Sequence, residues 1–178
     1  MKRHIVIAGH RHVGKSTLLN RLLENCDKPI YGFRTASGKS MRKGYRSFFM
    51  HPADCSEKYE SEDNHIGDGN GKDHSFYTDV FDSFGVKCLE AEPDGIIVMD
   101  ELGFMENEAE LFKAKVLECL DGDIPVIATA KVGIDTEFLK AILNHPNADV
   151  YYIDEQNRDR LYEELRPSFN EFVEGHNE

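Results

Sequence analysis

The sequence predicts an α/β fold in which a mostly parallel sheet is covered by helices on both faces. Three observations predict it. Short β-branched runs alternate with stretches of helical periodicity along most of the 178 residues. The central runs are apolar at every position, as strands buried on both faces require. The first of these runs passes through a glycine loop directly into a helical pattern. At about one domain per 150 residues the chain is read as a single domain, 1–178. A chain of this size buries roughly 70 % of the surface its unfolded form exposes, so a core forms without a disulfide or metal staple.

The run Ile5-Val6-Ile7-Ala8 ends at Gly9 and reads as a buried strand, and apolar spacing over 17–23 predicts the first helix. Two strand-like stretches, at 30–33 and 45–50, flank the turn-rich, basic segment 36–43 and predict a hairpin over about 30–50. Residues 51–75 are polar and rich in Gly, Asp, Asn and His, and without a usable period they read as a mobile polar excursion. A short strand is expected near 77–81, a helix near 86–92 and a strand at 96–99. Ala109, Phe112, Val116 and Leu120 share one face of a helix expected over 107–120. A β-branched strand at 125–129 precedes a helix at 136–144, and a strand at 150–153 precedes a charged amphipathic helix to about 173, interrupted at Pro167.

Composition narrows the function. The 21 Lys and Arg against 33 Asp and Glu give a net charge of −12, which repels phosphate backbones and anionic lipid surfaces. Neither nucleic acid nor membrane is expected as a partner. Cys26, Cys55, Cys88 and Cys119 form no C-x-x-C pair, the pattern of reduced thiols in a cytoplasm. The apolar run after Met1-Lys2-Arg3-His4 is too short for a signal-peptide core, and no run approaches the roughly 20 apolar residues of a membrane span. The expected location is therefore cytoplasmic.

Gly9-His10-Arg11-His12-Val13-Gly14-Lys15-Ser16-Thr17 matches G-x-x-x-x-G-K-[ST] between a predicted strand and a predicted helix. Such a loop wraps its backbone N–H groups around a polyphosphate, the helix start adds positive potential, and Lys15 reaches the β- and γ-phosphates. Ser16 is placed to hold Mg²⁺ and Thr17 to touch the α-phosphate. A second acidic ligand belongs at the end of a buried strand, where Asp100 stands, and Glu101 beside it is placed to orient or deprotonate a water. Arg11, Arg34, Arg42 and Arg158 are candidates for meeting transition-state charge, with Arg42 ranked first. The histidines show no helical i, i+4 metal pair, the segment 68–73 lacks the ligands and glycine of a calcium loop, and no N-K-x-D guanine-reading motif occurs.

The phosphate loop, Gly32-Phe33-Arg34-Thr35, Arg42-Lys43-Gly44-Tyr45, Asp100-Glu101-Leu102-Gly103-Phe104-Met105-Glu106 and Gln156-Asn157-Arg158-Asp159 occur in that order. In this the chain resembles the nucleoside-triphosphatase family first described from thermophiles and also called cancer-related nucleoside-triphosphatase. The resemblance implies a three-layer P-loop fold with a RecA-like sheet and Mg²⁺-dependent hydrolysis of ATP, GTP and other nucleoside triphosphates. It also implies that Lys15 and Ser16 bind phosphate and Mg²⁺, that Asp100 and Glu101 serve metal and water, and that Asn157 and Arg158 lie near the base. Arg42 fits the family's R-x-G-[FY] pattern. Arg11-His12 stand where the family usually has Pro-Gly, and the segment 51–75 has no counterpart there. Two other readings stay open: a small-molecule or nucleotide kinase with an acceptor held by the hairpin, and a nucleotide-dependent switch that engages a protein partner.

Overall fold

The computed structural model describes residues 2–54 and 59–174. Its first strand, β1 (His4–Gly9), is buried at all six positions because it is paired along both edges and covered on both faces. The remaining strands are β2 (Ile30–Gly38), β3 (Arg46–Pro52), β4 (His65–Gly69), β5 (His74–Phe76), β6 (Ile96–Leu102), β7 (Val126–Lys131) and β8 (Ala148–Tyr152). They form one sheet in the order β5-β4-β3-β2-β6-β7-β1-β8. Pairing is parallel from β2 through β6, β7 and β1 to β8. It is antiparallel through β2, β3, β4 and β5, which extend the sheet beyond its parallel half.

Alternation along β1 splits the core between the two faces. Ile5 and Ile7 pack with Leu18, Leu19 and Leu22 of α1 (Lys15–Leu23) and with Leu161, Leu165 and Phe169 of α6 (Arg158–Glu174). On the opposite face Val6 packs in a cluster that includes Phe112 and Val116 of α4 (Glu110–Asp121) and Phe138 and Leu139 of α5 (Glu137–Leu143). The Thr136 hydroxyl caps α5 by accepting the Leu139 N–H at 3.2 Å. The expected break at Pro167 does not occur: α6 runs through it, anchored before and after by buried Leu161, Leu165, Phe169 and Phe172. The apolar face offsets the one backbone hydrogen bond that proline withholds.

Two regions differ from the sequence expectation. In place of a polar excursion over 51–75, β3 continues to Pro52, a 3-10 turn spans Glu62–Asn64, and β4 and β5 follow as paired strands. Cys55 and the rest of 55–58 lie outside the described residues. No apolar alternation marks β4, because its inward polar residue is neutralised by partners rather than replaced by a hydrophobe. Asp68 is buried and accepts from Ser47 Oγ at 2.5 Å, His65 Nε2 at 2.9 Å and Tyr77 Oη at 2.7 Å. Burial works against the charged form, but these hydrogen bonds outweigh it and hold the Asp68 carboxyl below its ordinary range.

The strand expected at 77–81 is helical instead. Residues 78–88 form a continuous helical segment: α2 (Thr78–Val80), a π turn (Phe81–Gly85) and α3 (Val86–Cys88). Val80, Phe81 and Phe84 are spaced for one helical face, which five residues of apolar pattern cannot distinguish from a strand. The helix expected over 86–92 therefore ends at Cys88, and Gly85 explains how the segment packs. A Cβ at Gly85 would stand 2.7 Å from Phe112 Cδ2 on α4, so only glycine admits that ring. Among the described residues no helix is long and apolar enough to cross a membrane.

Candidate functional site

The site is built along the carboxyl edge of the parallel strands, where β1, β6, β7 and β2 end side by side. After Gly9 the chain turns through His12 (φ 64) and Gly14 (φ 106) into α1. The positive φ at Gly14 is a conformation that side chains other than glycine rarely adopt, and it aims the start of α1 at the strand edge. Val13 is buried in the core between α1 and α6, which fixes the loop from below. His10, Arg11 and His12 are exposed, with Arg11 and His12 on the cleft.

Lys15 is nearly inaccessible, at 4 % exposure. Its Nζ donates to the Gly9 carbonyl at 3.0 Å and to the His10 carbonyl at 2.6 Å, and pairs with Glu101 Oε2 at 2.8 Å. The other carboxylate oxygen of Glu101 is 3.2 Å from Lys131 Nζ, at the end of β7. Glu101 is thus held between two ammonium groups. Asp100 Oδ1 accepts from Ser16 Oγ at 2.9 Å and from the fully buried Thr129 Oγ1 at 2.6 Å. Arg34 Nη1 lies 3.5 Å from Asp100 Oδ2 and donates to Asn20 Oδ1 at 2.8 Å. Two acidic residues, two lysines, an arginine and two hydroxyls therefore converge from three strands and one helix.

The segment after Glu101 is held from within. Glu106 is buried and accepts the Gly103 N–H at 2.6 Å. Burial pushes its carboxyl up to about 7, against the lowering effect of its backbone hydrogen bonds and of Lys131. This hydrogen bond closes the turn that presents Phe104 to solvent, where the ring meets Phe76 at 5.3 Å and His74 at 6.0 Å between centroids. A cleft of about 1050 Å³ lies between the phosphate-type loop on one side and the antiparallel extension on the other. A second cavity, of about 230 Å³, opens beside Gly14 and Thr17 and is bordered by Leu18, Arg21, Arg158 and Asp159.

The structure brings Lys15, Ser16, Asp100 and Glu101 together, and puts Thr17 and Arg158 on the smaller cavity. It does not bring Arg42 to them. Arg42 is exposed in the turn between β2 and β3 with its guanidinium 3.9 Å above the Tyr45 ring, and it does not border the cleft. Asn157 spends its side chain on its own loop, accepting from Asp154 N and donating to the Tyr152 carbonyl, each at 2.9 Å. The sequence alone does not single out Thr129 or Lys131, marks Glu106 only as part of a family landmark without a role, and ranks Arg34 below Arg42. The usable signal for Thr129 and Lys131 was the adjacency of two predicted parallel strands, whose ends must share an edge.

The sequence profile of the NTPase family matches residues 4–166. Nucleoside-triphosphatase THEP1 of Thermotoga maritima is 31 % identical over 175 residues, covering 90 % of this chain and 92 % of that protein. Nucleoside-triphosphatase THEP1 of Methanocaldococcus jannaschii is 26 % identical over 165 residues, covering 90 % and 94 %. Among solved structures, THEP1 from Aquifex aeolicus superposes with a TM-score of 0.71 at 23 % identity, over 93 % of this chain and 98 % of that one. A human cancer-related nucleoside triphosphatase superposes at 0.64 and 20 % identity, over 93 % and 96 %. Both structures share the fold described above.

Proposed function

We propose, from the premise that the chain belongs to the NTPase family and hydrolyses nucleoside triphosphates, that the reaction is Mg²⁺-dependent and runs at the edge formed by Lys15, Ser16, Asp100 and Glu101. The observation that carries this reading is the contact between Ser16 Oγ and Asp100 Oδ1, reinforced by Thr129. A hydroxyl and a carboxylate are hard oxygen donors, and Mg²⁺ takes few protein ligands, completing its shell with water and phosphate. When bound there, Mg²⁺ neutralises charge on the β- and γ-phosphates.

The chain's own residues do the rest. Backbone N–H groups of residues 10–15 and the start of α1 cradle the phosphates. Thr129 fixes the orientation of the Asp100 carboxylate. Lys15 exchanges its contact with Glu101 for the β,γ-phosphate oxygens, which frees a Glu101 oxygen to accept a proton from water as that water attacks the γ-phosphorus. The bond from phosphorus to the β,γ-bridging oxygen breaks, and the nucleoside diphosphate leaves. Besides Lys15, Arg34 and Lys131 are the cations that contact Asp100 and Glu101, so the charge-matching role expected of Arg42 moves to them. The nucleoside end lies at the smaller cavity, by Thr17 and Arg158.

The protein works in the cytoplasm on this reading. Cys26, Cys88 and Cys119 are free thiols, and the net charge of −12 disfavours nucleic acid and anionic lipid as partners. The test is phosphate release from ATP, GTP, CTP and UTP with and without Mg²⁺. Lys15→Ala is expected to abolish release, Glu101→Gln to lower it by about 10²-fold or more, and chelation of Mg²⁺ to stop it. Undiminished release by Glu101→Gln would remove Glu101 from its assigned role.

A further inference from the structure

The main cleft is much larger than a β,γ-diphosphate needs. If the nucleoside lies at the smaller cavity beside Thr17, as the reading above has it, only the phosphate end of the substrate projects into the roughly 1050 Å³ between the loop and the antiparallel strands. That volume reaches the upper end of the range for a whole small-molecule ligand, about 300–1,000 Å³. Its far wall is chemically specific. His74 stacks on Phe76 at 4.8 Å between centroids, and both rings meet Phe104, which is 38 % exposed. Arg46 and Lys72, both exposed, stand on the same wall.

The charge of the cleft runs against that of the molecule. Five Lys or Arg and three Asp or Glu line it, in a chain with 21 and 33. Two of those three acids, Asp100 and Glu101, already face the phosphate loop, which leaves the far wall cationic apart from Asp73. Ring faces beside guanidinium and ammonium groups suit a flat ring joined to an anion.

We propose that the far half of the cleft is a subsite for a second ligand, a nucleoside monophosphate. Its base lies against Phe76 and Phe104, and its phosphate faces Arg46 and Lys72. The placement rests on the nucleoside triphosphate occupying the loop and the smaller cavity. It makes the protein a two-nucleotide binder whose second ligand approaches the γ-phosphate from the side that water must use.

The test is calorimetric titration of AMP, GMP, CMP and UMP into the full chain saturated with Mg²⁺ and ADP. The expected result is one further equivalent of monophosphate bound without release of ADP. Arg46→Ala and Phe76→Leu should each weaken that second binding by about tenfold, the usual scale of a lost stacking or charge contact. Circular dichroism and the midpoint of thermal unfolding show that each variant is folded, and Arg46→Lys should restore most of the affinity lost in Arg46→Ala. Monophosphate that only displaces ADP, or second binding untouched in both variants, overturns the proposal. Failure of the underlying reading looks different: ADP binding itself would then be indifferent to Lys15→Ala.

Discussion

Replacing Glu106 with glutamine should change how the stability of the protein responds to pH. The carboxyl is fully enclosed and is pushed from its ordinary 4.5 up to about 7 by burial. At ~1.4 kcal/mol for each pH unit, ionising it costs the folded state about 3 kcal/mol relative to the unfolded chain. Between pH 4.5 and about 7 the unfolded chain has released this proton and the folded one has not, so stability falls as pH rises through that window. The contribution is intact below about pH 4.5 and fully lost above about 7. Glu106→Gln keeps an oxygen to accept the Gly103 N–H but has nothing to titrate. Urea unfolding of both proteins at half-unit steps from about pH 4 to about pH 8.5 measures the difference. Whatever constant offset the amide introduces, the wild type should lose about 3 kcal/mol more than the variant across the range. Parallel curves for the two proteins would refute the reasoning and show that the enclosed carboxyl ionises without penalty.

Two further perturbations test the supports around the site. Thr129→Val keeps volume and burial but removes the hydroxyl that orients Asp100; Mg²⁺ titration of phosphate release should show a 10- to 100-fold loss of apparent metal affinity or rate, the usual order for a partner behind a metal ligand. Ser47→Ala removes one of three donors to buried Asp68 and should cost about 1–3 kcal/mol in urea unfolding at neutral pH. Because the Asp68 carboxyl is held low in the folded state, its stabilisation is present above the ordinary carboxylate range and is lost as pH falls through the depressed value. The gap between Ser47→Ala and wild type should therefore narrow in acid.

What the sequence made legible follows from whether the information was contiguous. The phosphate loop and the Asp100-Glu101 pair each sit within a short stretch, and the burial of their strands made the preceding residues apolar throughout, so both could be placed at the ends of strands. Thr129 and Lys131 are near Asp100 and Glu101 only because β7 lies beside β6, a neighbour relation that no local pattern records. The same holds for Arg34, which β2 delivers to Asp100 across the parallel β2 and β6 pair. Arg42 matched a family pattern but stands in a turn, where contact with Tyr45 takes up its guanidinium. The strand β4 escaped because Ile66 is its only large apolar residue, and its stability comes from satisfied polar groups rather than from alternation.

If Lys15 binds phosphate as proposed, the contacts around it make substrate capture an exchange reaction. The ammonium already has three oxygen partners, one of them the anionic Glu101. An incoming phosphate must be a better partner than a carboxylate at 2.8 Å. A triphosphate, offering several anionic oxygens together with its metal, meets that condition far more easily than a diphosphate or free phosphate. On the proposed mechanism, discrimination by phosphate number then follows from one internal competitor. In the proposed mechanism, Glu101 regains its hold on Lys15 once it has passed the proton taken from water to the departing phosphate, and so helps to expel the products.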